Sequence, residues 1–146
     1  MKIENLPTEH IVKLPDSHKD DRGYIQPLCD LNMKSASLIY SKPNTWRANH
    51  YHKKDWHYCY VVSGKIEYLH RPTGSKVEPK VIMVNQGEII FTPPMIDHGM
   101  KFPEDTVFLT LSRNPRDQAT YEADVVRVDF VSTEGLVSWS PEESKQ

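Results

Sequence analysis

Arg47-Ala48-Asn49-His50-Tyr51-His52-Lys53-Lys54-Asp55-Trp56-His57-Tyr58-Cys59-Tyr60-Val61-Val62-Ser63-Gly64 is the stretch that decides the fold. It reads as two β-strands, Arg47–His52 and His57–Val62, separated by a polar break at Lys53-Lys54-Asp55 and closed by a tight Ser63-Gly64 turn. Side chains alternate along a strand, so His50 and His52 point the same way and can grip one ion. His57 returns after the reversal, and His98 follows the rigid Pro93-Pro94 pair. Neutral imidazole is the commonest ligand of first-row transition metals, and four of them leave one or two coordination positions open. The sequence therefore predicts a divalent transition metal, iron, manganese, nickel or zinc, held by His50, His52, His57 and His98. Open positions point to chemistry rather than scaffolding.

Working outward, further β-like runs occupy Ser37–Ser41, Lys65–His70, Val81–Val84, Glu88–Thr92, Val107–Ser112 and Val125–Val131. With the first two they make eight strands, enough for a barrel or sandwich. Turns are expected at Thr73-Gly74-Ser75, Asn85-Gln86-Gly87 and Pro103-Glu104-Asp105, and a helix only near Asp117 to Ala123. Pro93-Pro94 donates no ladder hydrogen bonds and should mark a barrel rim, which puts His98 near a turn at the pocket mouth. Residues 1–132 form one domain with an N-terminal extension, Ile3 to Leu14, that has apolar residues and no evident partner strand. Residues 133–146 form a polar tail in which Trp139 alone is suited to docking.

Composition excludes several classes. The 146 residues carry a net charge of −2 with acids and bases interspersed, so nucleic acid is not an expected partner. No run has the length of a signal-peptide core or a membrane span, and the expected location is the cytoplasm. Cys29 and Cys59 are then expected as free thiols, Cys59 as a small core residue on the strand face of His57. His10, His18 and His70 are assigned structural roles.

The pattern resembles the cupin superfamily. Its first motif is matched by His50-Tyr51-His52, His57 and Gly64, and its second by Gly87, Pro93 and His98, with Met95 and Phe102 at positions usually glycine and asparagine. This resemblance implies an all-β fold, a double-stranded β-helix or jelly-roll-like barrel, and a homodimer. Asp20-Asp21-Arg22-Gly23-Tyr24, Trp46-Arg47-Ala48-Asn49-His50-Tyr51 and Pro93-Pro94-Met95-Ile96-Asp97-His98-Gly99 are more narrowly similar to the dTDP-4-dehydrorhamnose 3,5-epimerases and dTDP-sugar 3,4-ketoisomerases. That similarity implies a catalytic base at His50 and a nucleotide diphosphate held by Arg22 and Arg47. Two positions depart from the epimerase pattern: His57 stands where lysine is usual, and Ser112-Arg113-Asn114-Pro115 lacks the tyrosine that would serve as acid.

His50 cannot be both metal ligand and free base, and the metal reading uses more of the sequence. The leading expectation is a metal-assisted isomerase or epimerase acting on a keto-sugar or nucleotide sugar. The alternatives are a metal-dependent dioxygenase and a non-catalytic small-molecule-binding barrel. Arg22 and Arg47 have a competing role in salt bridges with Asp20, Asp21 or Asp55. Asp97 is a candidate for orienting an imidazole from behind, or else for shaping its turn.

Overall fold

Alternation writes the sheets. Thr106–Ser112 buries every second residue completely, and Ser35–Ser41 shows its partner pattern, so each strand offers one face to a core and one outward. The structure, a computed structural model, describes residues 6–7 and 10–136; Trp139 lies outside them. In chain order its elements are β1 (Ile11–Val12), β2 (His18–Asp20), β3 (Gly23–Ile25), β4 (Ser35–Ser41), β5 (Thr45–His52), β6 (His57–Ser63), β7 (Lys65–Pro72), β8 (Lys80–Asn85), β9 (Ile89–Thr92), β10 (Ile96–Phe102), β11 (Thr106–Ser112), α1 (Gln118–Asp124) and β12 (Val125–Arg127).

Two five-stranded antiparallel sheets face each other, ordered β1-β9-β6-β11-β4 and β12-β5-β10-β7-β8. From β4 onward the chain changes sheets at every connection except that between β7 and β8, which makes the jelly-roll-like barrel. Val61, Ile66, Tyr68, Val84, Ile90, Met100, Phe102 and Phe108 fill one end between the sheets. The other end is left for polar side chains. Ser63-Gly64 turns β6 into β7 as the sequence predicts, with Gly64 at φ +86°.

Three sequence expectations are corrected. The N-terminal extension does have a partner: Ile11 and Val12 pair with Ile90 and Ile89 on β9. From there Leu6, Val12 and Leu14 pack on the outer face of β6 and β9, covering Trp56, Tyr58, Ile89 and Phe91. The run from Val125 stays strand only as far as Arg127. Most consequential, Ile96–Phe102 is a central strand rather than a rim turn, paired on both sides by β5 and β7. Asp97 and Gly99 lower its apparent β-propensity, yet each is demanded by a neighbour. Asp97 takes the Arg71 guanidinium, and any Cβ at Gly99 would lie 3.1 Å from Val131 Cγ2. Pro93-Pro94 does occupy the corner between β9 and β10.

The β5–β10 pairing contains the feature that shapes the site. Met100 pairs with Arg47 and Gly99 with Ala48, but His98 pairs with His50, so Asn49 is an extra, bulged residue. Ala48 and Asn49 adopt left-handed backbone angles, φ +67° and +61°, at a cost of roughly 1–3 kcal/mol each. Strict alternation would put Arg47 and His50, three apart, on opposite faces. The bulge turns both into the barrel.

Candidate active site

β5 supplies His50 and His52, β6 supplies His57 and β10 supplies His98, and all four rings meet in one cavity of about 150 Å³ between the sheets. Ring centroids lie 4.8 Å apart for His50–His52 and His50–His98, 5.4 Å for His52–His57 and His57–His98, and 5.6 Å for His52–His98. All four are buried, His98 to 1% exposure, deep in the barrel rather than at its mouth.

Burial and mutual repulsion keep these imidazoles neutral. Burial, then His98, His52 and His57, drive His50 far below the usual histidine range, and burial pushes His98 down to about 3. His57 is likewise well depressed, first by burial and then by His98 and His52. His52 is lowered by burial too, but two carboxylates, Asp55 and Asp124, pull against that shift. Its Nδ1 lies 3.1 Å from Asp124 Oδ2, which directs Nε2 into the cavity. His98 Nδ1 is fixed in the same way by the Ile96 carbonyl at 2.9 Å.

The donor set fits a metal. Nitrogens of His50, His52 and His98 all lie within 4.8 Å of one another. Adjacent imidazole nitrogens on a shared ion stand roughly 3 Å apart and opposed ones about 4.2 Å, so the trio would have to draw together to hold one. At His52 and His98 the occupied Nδ1 leaves Nε2 to present the lone pair that such an ion needs. His57 borders the cavity but falls outside that trio. Cys59 also borders it, as the free thiol expected, with its pKa pushed up to about 12 by burial.

The remaining expectations divide. Arg47 reaches the cavity, its Nε donating to Ser41 Oγ at 2.7 Å and its second amino group to the Tyr40 carbonyl at 3.0 Å. Arg22 does not: it stands on the separate β2–β3 hairpin, its side chain 88% exposed and paired with Asp20 at 2.6 Å. Asp97 does not orient His98 either. Neighbours on a strand face opposite sides, and Asp97 accepts from Arg71 Nε at 3.2 Å and Thr73 Oγ1 at 2.9 Å instead.

Three contributors were missed. Asp124, at the end of α1, accepts the Lys54 and Asp55 N–H groups at 2.7 and 3.2 Å besides holding His52. Tyr121, one turn earlier on the same helix, lies with its ring 6.3 Å from His50 and 6.0 Å from His52. It stands beyond Ser112–Pro115, the segment in which the epimerase pattern has its tyrosine. Arg116 covers its ring, Cζ to centroid 5.2 Å. The sequence does carry the signal for α1, since Asp117 caps it by accepting the Thr120 N–H. Nothing local says that α1 leads into β12, which pairs with β5 and so carries Tyr121 and Asp124 to the histidines.

Beside the histidine cavity a larger cleft of about 620 Å³ opens between α1 and β5. The two share Arg47, Ala48, His50, Arg116 and Tyr121. No helix among the described residues is long and apolar enough to cross a membrane.

No family model and no curated protein matches this sequence. Among solved structures, the chain is similar to a 3,4-ketoisomerase from Helicobacter canadensis, with 21% identity and TM-score 0.68 over 82% of this chain and 90% of that one. A variant of the 3,4-ketoisomerase from Thermoanaerobacterium thermosaccharolyticum, crystallised with TDP-4-keto-6-deoxyglucose, gives 18% identity and TM-score 0.66 over 84% and 88%. The dTDP-4-dehydrorhamnose 3,5-epimerase of Sulfolobus tokodaii gives 17% identity and TM-score 0.68 over 97% and 87%. At these identities the likeness is one of fold, the jelly-roll-like barrel that the cupin resemblance implied.

Proposed function

We propose that this protein catalyses proton transfer beside the ketone of a keto-sugar carried on a nucleoside diphosphate, as an isomerase or epimerase. The observation that carries the proposal is the buried His52–Asp124 pair facing Tyr121 across the cavity, next to an arginine-lined cleft. Removing a proton alpha to a carbonyl needs a base that can hold a charge transiently. Of the four histidines, His52 has the carboxylates to stabilise its imidazolium, whereas His50 is surrounded by other imidazoles.

In this reading His52 Nε2 takes the C–H proton, and the electron pair moves through the new C=C bond onto the ketone oxygen. Tyr121 returns a proton to carbon. Delivery to the former ketone carbon, with the adjacent hydroxyl passing its proton to the former ketone oxygen, shifts the carbonyl, and delivery to the opposite face of the original carbon inverts it. Burial holds the Tyr121 phenol above its usual range while Arg116 and Arg127 temper that rise, keeping it protonated until an anion forms nearby. Arg47, exposed at the cavity edge and anchored on Ser41 and Tyr40, offers a fixed charge to the diphosphate. The solved neighbours of the same fold are named for this chemistry, and one was crystallised with a TDP-keto-sugar, which supports the substrate class.

A second reading rests on the trio His50, His52 and His98, which could hold a divalent transition metal with His57 beside it. Such an ion would supply Lewis acidity to a substrate oxygen.

The test is deuterium wash-in. Incubated in deuterium oxide with TDP-4-keto-6-deoxyglucose, the protein should introduce deuterium at the carbon beside the ketone, and His52→Ala should not. Wash-in that persists at the wild-type rate in His52→Ala removes the proposed base, and none in the wild type removes the activity.

A further inference from the structure

The side cleft holds an ion pair that proton transfer does not use. Arg127 extends a bidentate fork to Glu122, with N–O distances of 2.9 and 3.1 Å, and Gln118 Nε2 holds the same carboxylate at 3.0 Å. Arg127 is the cross-strand partner of His50, so the pair stands at the rim where the cleft meets the histidine cavity. Three guanidinium groups, Arg47, Arg116 and Arg127, line the cleft against one carboxylate, Glu122. The imbalance is built in. Arg47 is anchored by neutral oxygens and Arg116 lies over an aromatic ring, so neither has a carboxylate among these contacts. The Arg127–Glu122 pair is half exposed, 57% and 42%, which makes it exchangeable.

A guanidinium fork matches a carboxylate and a phosphate with the same two parallel hydrogen bonds. We propose that Arg127, with Arg116, forms a diphosphate subsite of this cleft, and that Glu122 is its internal stand-in, displaced from Arg127 when a ligand phosphate arrives. The inference rests on the nucleoside-diphosphate reading above and adds to it the residues that grip the phosphates and the one that sets their affinity. Glu122 then works as a selectivity device. A monoanion gains too little to displace it, whereas a diphosphate bridging Arg127 and Arg116 replaces one carboxylate with several phosphate oxygens. The Gln118 amide keeps the released carboxylate from swinging toward the incoming charge.

Calorimetric titration with dTDP, and with inorganic pyrophosphate as the minimal probe, tests this. Glu122→Gln should bind both about 2- to 5-fold more tightly than the wild type, the worth of an exposed ion pair. Arg127→Gln should bind about tenfold or more weakly. The double variant should match Arg127→Gln alone, because Glu122 acts only through Arg127. Arg127→Lys, which keeps charge but not the fork, should recover part of the loss, and melting curves of every variant report folding separately. Wild-type binding that is unchanged in both Glu122→Gln and Arg127→Gln overturns the stand-in while leaving the proposed function intact. Absence of dTDP and pyrophosphate binding in every variant overturns the subsite, and deuterium wash-in then decides the proton-transfer reading independently.

Discussion

His52 Nδ1 and Asp124 Oδ2 meet at 3.1 Å inside the barrel although 72 residues separate them. A buried carboxylate in that position fixes the imidazole tautomer and stabilises the ring when it takes a proton. Asp124→Asn keeps a hydrogen-bonding group of the same shape but removes the charge. Its expected effect is a loss of deuterium wash-in of about 100-fold or more, with a lowered melting temperature because the amide nitrogen cannot accept from the Asp55 N–H. Wash-in within a factor of two of wild type would show that the pair is structural.

Metal binding and proton transfer compete at His52, which belongs both to the ligand trio and to the His52–Asp124 pair. If His50, His52 and His98 hold an ion, zinc or nickel should raise the melting temperature of the wild type in a concentration-dependent way. At a hundredfold excess over Kd the stabilisation is about 2.7 kcal/mol. His98→Ala should erase that response. An equal shift in His98→Ala would move metal binding elsewhere on the protein.

Acid should weaken the fold through its buried histidines. The His70 ring lies 3.9 Å from that of His10, and burial, then His10 and Lys80, press its pKa from 6.5 down to about 4. The unfolded chain takes up a proton that the native state refuses. Stability from this source is therefore intact above about 6.5, declines as pH falls, and flattens below about 4. Urea midpoints measured between pH 7 and pH 4 should fall less steeply in His70→Phe. Parallel slopes in the two proteins would remove His70 from the account.

Two turn glycines with the same backbone sign should respond unequally. Gly64 (φ +86°) has no room for a Cβ, which would meet the Asp105 carbonyl and lie 2.6 Å from Thr106 Oγ1. Gly87 (φ +83°) faces open space. Gly87→Ala should cost about 1–2 kcal/mol from its left-handed backbone alone, while Gly64→Ala adds displacement of β11 and should cost several times as much. Denaturant unfolding would reveal the difference, and equal losses would contradict the close approach at Gly64.

Much of the barrel was legible in short windows. β6, β7, β9 and β11 announce themselves by β-branched and aromatic residues and by the turns that bound them. β10 did not, because Asp97 and Gly99 answer to Arg71 and Val131, residues distant along the chain. The same limit hid the site's third element. Tyr121 reads as part of a short polar helix that ends before Asp124, and only the pairing of β12 with β5 brings the two to His50 and His52.

The amino-acid sequence by itself determined the strand content, the glycine turns and the alternation that puts His50 and His52 on one side, since period and turn chemistry are properties of neighbouring residues. Tertiary structure alone decided that Arg47 joins those histidines while Arg22 stays outside, that Asp97 faces away, and that Asp124 and Tyr121 complete the cavity. The reason is physical: a bulge is a mismatch between two strands rather than a feature of one. The Asn49 bulge takes shape only when β5 is laid against β10.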